Sequence, residues 1–346
     1  VIEGFFGSPW PDPQRLAMLP WLAARGFDLF LHAPKADRHL RGRWHQRHPS
    51  ADEDRIRALV RAGEDHDIDI ALGLSPLALV ERWHTDGPVQ LLRRVDELRA
   101  LGVHGLGLFF DDMRGDLPAL AATQGAMVQA VRAAHPDLPL WMCPTYYTPH
   151  DVLDRVFGPR PPHYLETLGE ALPDDVEVFW TGERVCSASY TPEHLEATTA
   201  RLGRPVAIWD NYPVNDGPRM CKHLHLRPPG GRPPALLPHV STWCINPMNQ
   251  LHASKLPMAA IVDHLHGRSV DLPALAARIH DEPTASALLQ WMDRFQDLGL
   301  DALDDRTRAD AIACFDPLHD PVAAEIVGWL KGDYLVGPEC LTDTED

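Results

Sequence analysis

Short apolar runs alternate along this chain with longer stretches in which apolar residues recur at helical spacing. The runs cover residues 1–7, 28–33, 69–75, 105–112, 139–144, 177–181, 205–210 and 240–245 and read as eight strands. Most are apolar throughout rather than alternating, the mark of strands buried on both faces. Amphipathic patterns over 12–25, 51–66, 88–101, 117–134 and 192–202 predict the intervening helices. Ser50 and Thr191 read as their N-caps, with Glu53 and His194 three residues on. Gly26, Gly102 and Gly203 follow helical runs, where a left-handed terminal residue suits glycine.

Eight strands alternating with helices predict a closed α/β fold, the (β/α)8 or TIM barrel, which typically takes about 250 residues. An open doubly wound sheet is the alternative. It calls for a glycine-rich phosphate loop after the first strand, and Gly4 and Gly7 do not complete that fingerprint. Beyond about residue 270 the strand rhythm stops. Helical patterns follow over 272–280, 284–298, 306–314 and 321–330. The expected organisation is a barrel over 1–268 and a C-terminal helical appendage over 269–346, a candidate surface for homodimerisation.

Polar residues collect where the apolar runs end, and a barrel keeps its reactive groups at the carboxyl ends of its strands. The fourth run stops abruptly at Asp111-Asp112. Two adjacent acids at a partly dehydrated edge have coupled ionisations, so one can stay protonated while the other is charged. Acid/base work on a glycosidic bond needs that split. Adjacent strand residues point to opposite faces. Both acids therefore reach one pocket only if the chain leaves β geometry there.

The formal net charge of −17 argues against a nucleic-acid backbone or an anionic membrane as the main partner. No run approaches the length of a membrane span, and no secretory leader is visible. The six cysteines form no CxxC pair, which fits a reducing compartment, so a cytoplasmic location is expected. Among 19 histidines, His223/His225 and His264/His266 form HxH pairs. On a helix, i and i+2 diverge, so neither pair makes a good chelate there.

In order as well as content, the strand-end motifs resemble glycoside hydrolase family 84, the O-GlcNAcase-type β-N-acetylglucosaminidases. They are Glu-Gly-Phe-Phe-Gly-Ser-Pro-Trp at 3–10, Ala-Pro-Lys at 33–35, Phe-Asp-Asp at 110–112 and Cys-Pro-Thr at 143–145 with Tyr147. Trp-Thr-Gly at 180–182, Trp-Asp-Asn at 209–211, Asn-Asp at 215–216 and Asn-Pro at 246–247 complete the series. The resemblance implies a retaining exo-β-N-acetylglucosaminidase in which the substrate's 2-acetamido oxygen attacks the anomeric carbon to form an oxazoline. No metal or cofactor is implied. Asp111 would hold the acetamido N–H, and Asp112 would act as general acid and then base. Gly4, Lys35, Asn211, Asp216 and Asn246 would bind the sugar, and Tyr147 and Trp209 would wall the acetamide pocket. The implied partners are terminal β-GlcNAc of glycoproteins or glycans, including O-GlcNAc-modified proteins. Phe6, His32, Ala36 and Tyr146 depart from the family pattern, which bears on substrate preference rather than on the reaction. Two other functions fit the same residues: a hyaluronidase-like endo-acting enzyme, and a non-catalytic GlcNAc-binding protein.

Overall fold

A computed structural model describes residues 1–343. The last three positions of the predicted C-terminal region lie outside the described residues. Eight parallel strands pair in chain order: β1 (Ile2–Glu3), β2 (Leu29–His32), β3 (Asp69–Leu74), β4 (Gly105–Phe109), β5 (Leu140–Cys143), β6 (Glu177–Trp180), β7 (Val206–Asp210) and β8 (Val240–Ile245). Beside the end of β8, the Asn246 amide nitrogen, when turned toward β1, donates to the Ile2 carbonyl at 3.1 Å. The sheet forms a nearly closed (β/α)8 barrel.

The apolar strands are buried because helices cover their outer faces while side chains fill the barrel. Phe109, Phe179 and Trp209 meet edge-to-face at its centre, with ring centroids 5.3–5.9 Å apart. Glycine in β3 and β4 makes room for the Phe109 ring. A Cβ on Gly73 or Gly107 would lie 2.3 Å from a Phe109 ring carbon.

At the start of the barrel, the fully buried Glu3 anchors a polar network, as its position inside the first strand suggests. It accepts from Arg15 Nε at 2.6 Å, Arg15 Nη2 at 2.8 Å and the Trp10 amide at 3.0 Å, and faces His32 Nδ1 at 3.0 Å. Burial pushes its carboxyl up, but Arg15 and His32 outweigh burial and hold it at about 2, below the ordinary 4.5. The stability this lends is complete above about pH 4.5 and is lost as pH falls through about 2. In Glu3→Gln, urea unfolding at stepped pH is expected to show a shallower fall of stability across that window. The difference reaches at most about 1.4 kcal/mol per pH unit, one proton's worth.

Several element boundaries differ from those read from the sequence. The first strand spans only Ile2–Glu3; the Phe5 carbonyl still accepts from the Lys35 amide at 3.3 Å, and beyond it the backbone bonds elsewhere. The Phe6 N–H donates to Asp216 at 2.9 Å, and its carbonyl accepts from Asn249 at 2.9 Å. Thr191 caps its helix by accepting from the His194 amide. Ser50 does not cap: Pro49 takes that position, Ser50 is the first helical residue, and Glu53 pairs with Arg47 and Arg57. The run predicted over 284–298 is an α-helix, Glu282–Asp293, followed by a wider π turn ending at Gly299.

The helix Leu251–Leu265 is absent from the sequence reading. It is buried nearly all round between the barrel and the C-terminal helices, so it has no polar stripe to mark its period. Glu325 on the helix Pro321–Lys331 accepts from the His252 and Ala253 amides, both at 2.9 Å, and so caps it from outside. The C-terminal helices form a second apolar cluster in which Leu288, Phe295, Phe315 and Trp329 pack with Met248, Ala253 and Leu256. That cluster runs continuously across residues 268–269. No helix among the described residues is long and apolar enough to cross a membrane.

Candidate active site

A cavity of about 230 Å³ opens at the carboxyl ends of the strands. Gly4, Lys35, Asp111, Asp112, Tyr147, Trp209, Asn211, Asp216 and Asn246 all line it, so the candidate positions read from six separate strand ends meet in one place.

The two acids share the cavity because of a local break in the backbone. β4 ends at Phe109, the Phe110 amide still donates to the Cys143 carbonyl at 2.8 Å, and Asp112 then takes a left-handed φ of +57°. That turn cancels the alternation of faces. Thr145 of the Cys-Pro-Thr motif and two residues that the sequence reading did not single out, Gln124 and Tyr164, hold the approach to it. Thr145 Oγ1 donates to the Phe110 carbonyl at 2.8 Å and accepts from Gln124 Nε2 at 2.9 Å, and the Tyr164 hydroxyl donates to Gln124 Oε1 at 2.5 Å.

Lys35 lies between the acids. Its buried ammonium donates to Asp111 Oδ2 and sits 3.2 Å from Asp112 Oδ2. Burial pushes the Lys35 pKa down, but Asp111 and Asp112 together raise it above the ordinary value, so it stays charged. The other Asp111 oxygen, Oδ1, is buried without a protein donor. A buried acceptor left unpaired is costly, so it is poised to take an N–H from a bound molecule. The Asp112 pKa is likewise raised above that of a normal carboxylate. Burial raises its pKa, Lys35 opposes, and the adjacent Asp111 charge raises it further. Asp216, accepting from the Phe6 amide, is pushed up to about 6, chiefly by burial, with Asp112 contributing.

The rest of the wall is aromatic and amide. Trp209 is braced by Phe109 and Phe179 and packs on Gly4, where a Cβ would approach a Trp209 ring carbon to 2.5 Å. Asn211 donates to the Val185 carbonyl at 2.9 Å, and the Asn211 and Asn246 amides meet at 2.9 Å. Burial, then Asp112 and Asp111, push the Tyr147 hydroxyl well above 10, so it keeps its proton and can donate.

Other strand-end residues have structural partners. Asp210 is fully buried and takes two bonds from Arg232, at 3.0 and 2.8 Å. Trp180 donates to His194 and does not line the cavity. Of the positions that depart from the family pattern, only Phe6 lines the cavity, its ring 5.5 Å from the Lys35 ammonium. His32 turns to Glu3, and the Tyr146 hydroxyl donates to the Gly158 carbonyl. The HxH histidines each place Nδ1 on a backbone carbonyl. Among the described residues no cluster of three or more His, Cys, Asp or Glu is arranged to hold a metal ion.

The lining of the cavity also includes His150, Arg184, Cys186, Arg219, Cys340, Thr342 and Asp343, none of them anticipated. Arg219 stands three residues after Asp216, a nearness that could have flagged it. Nothing in the local pattern points to residues 340–343.

Residues 1–273 match the model of a protein family described as β-N-acetylglucosaminidase (NAGidase). The protein O-GlcNAcases of Mus musculus and Rattus norvegicus are each 28% identical over 263 residues, covering 73% of this chain. The chain spans only 28% of the length of these curated relatives. Among solved structures, a mutant of the Thermobaculum terrenum O-GlcNAc hydrolase matches with a TM-score of 0.80 at 26% identity, covering 96% of this chain and 80% of that one.

Proposed function

Because this chain belongs to the β-N-acetylglucosaminidase family of glycoside hydrolases, we propose that it is a retaining exo-β-N-acetylglucosaminidase that removes terminal β-GlcNAc by substrate-assisted catalysis. One observation carries this reading: Asp111 and Asp112 face a single sugar-sized cavity with Lys35 between them.

In this scheme the substrate's acetamido oxygen attacks the anomeric carbon as the glycosidic C–O bond breaks. Asp112 gives its proton to the departing oxygen. Asp111 Oδ1 accepts the acetamido N–H, orienting the amide and stabilising positive charge on the forming oxazoline, and the Tyr147 hydroxyl donates to the sugar intermediate. Water then opens the oxazoline at the anomeric carbon, with Asp112 taking its proton. Two inversions give net retention. The Gly4 carbonyl, Lys35, Asn211, Asp216 and Asn246 hold the ring and acetamide. The scheme calls on no metal or cofactor. Residues 1–268 are the catalytic unit in this reading, and the helical region described over 269–343 braces it.

The cavity of about 230 Å³ is smaller than the ~300–1,000 Å³ common for ligand pockets. That favours one terminal sugar over an endo-acting cleft. An aryl β-GlcNAc, its β-GalNAc epimer and hyaluronan, assayed side by side, test the proposal. Hydrolysis of the aryl β-GlcNAc with hyaluronan left intact is expected. Digestion of hyaluronan would favour the endo reading, and tight GlcNAc binding without turnover at any pH would favour a binding protein.

A further inference from the structure

After the helix Pro321–Lys331 ends at Gly332, the chain reaches the cavity, and Cys340, Thr342 and Asp343 join its lining. It is tied at two points to the loop that carries Asp216. At the near end, the Val336 amide donates to Cys221 Sγ at 3.4 Å. At the far end, Asp343 accepts from the Arg219 and Met220 amides at 2.7 and 3.2 Å, with Arg219 Nε 3.3 Å from its other oxygen. The Asp343 carboxylate is 2% exposed. Gly217 permits this seat: a Cβ there would lie 2.3 Å from Asp343 Cγ. Between the two ties, Cys340 and Thr342 face the cavity.

Burial raises the Cys340 thiol pKa, and the charges of Asp216 and Asp112 raise it further. Cys340 and Thr342 line the same cavity as Asp112, the acid that serves the leaving oxygen in the proposed reaction. His150, Arg184, Cys186 and Arg219 line the same cavity.

We propose that residues 336–343 form a specificity wall of the cavity, seated by Asp343, which admits slender leaving groups and excludes a polypeptide chain. The inference rests on the glycosidase reading above and narrows its substrate class. Cys340 and Thr342 share the cavity with Asp112, and a peptide carrying the sugar on Ser or Thr extends in both directions from the glycosidic oxygen. Freeing the Asp343 seat opens the passage.

The test compares kcat/KM for a ten-residue peptide bearing O-GlcNAc on serine with kcat/KM for a small aryl β-GlcNAc. It uses the intact chain, Asp343→Ala, and a chain ending at Leu335. The peptide-to-aryl ratio is expected to rise by about tenfold or more in both variants. If the truncated chain fails to fold, the Asp343→Ala ratio decides alone. A ratio unchanged within about twofold, or one that falls because the segment grips the peptide, overturns the wall. If the intact chain fails to hydrolyse the aryl glycoside at all, the glycosidase reading fails first and the wall with it.

Discussion

Asp112→Asn is expected to lower kcat/KM for an aryl β-GlcNAc with a poorly acidic leaving phenol by about 10²–10⁴-fold, the usual contribution of a positioned general acid. The size of the loss should track the leaving group. A strongly acidic phenol departs without help, so the same variant should retain far more of its first-step rate on a dinitrophenyl glycoside. The reasoning starts from the left-handed turn at Asp112, which brings this carboxyl into the cavity beside Asp111. Burial first, and the neighbouring Asp111 charge second, raise its pKa against the pull of Lys35. With a raised pKa, the proton-donating form persists to higher pH than a free aspartate allows, and activity fades as pH rises through that value. An amide cannot titrate. The alkaline limb of kcat/KM on the poor-leaving-group substrate should therefore vanish in Asp112→Asn. A variant with wild-type rates on that substrate would remove Asp112 from the role.

Asp111→Asn should cost about 10²–10³-fold in kcat, the scale seen when one preorganised electrostatic contact to a developing charge is removed. Unlike the Asp112 loss, this one should be nearly the same for good and poor leaving groups, because Asp111 serves the attacking amide rather than the departing oxygen. The geometry explains the split. One Asp111 oxygen is taken by Lys35, and the other is buried with no protein donor, a site for a substrate N–H. An asparagine there can turn its amide N–H₂ toward that N–H and repel it, and it supplies no charge for the oxazolinium. Circular dichroism and thermal melting close to wild type would separate this outcome from misfolding. Equal leaving-group dependence for the two variants would contradict the division of labour.

The sequence made the site legible because each functional group falls where an apolar run stops. Lys35 follows β2, Asp111 and Asp112 follow β4 and Phe110, and Asn246 follows β8. In a parallel barrel all those ends point the same way, so fold and site were read together. The break at Asp111–Asp112 was legible as a requirement, since neighbours on a strand cannot share a face. What stayed hidden depends on distant packing. Nothing local marks Gly73 as the space for the Phe109 ring, or ties Gln124, Thr145 and Tyr164 to the Phe110 carbonyl. The helix Leu251–Leu265 lacks an amphipathic signal because tertiary burial surrounds it. Asp343 reaches Arg219 across 124 positions, a contact that no period or motif encodes.

The most direct measurement is the hydrolysis rate of an aryl β-glucosaminide series whose N-acyl group carries zero, one, two or three fluorines. Each fluorine drains electron density from the acyl oxygen. If that oxygen is the attacking atom, with Asp111 holding its N–H and Asp112 serving the leaving group, kcat should fall steeply and steadily along the series. A rate indifferent to fluorination would mean that some other atom attacks, and the account would be contradicted.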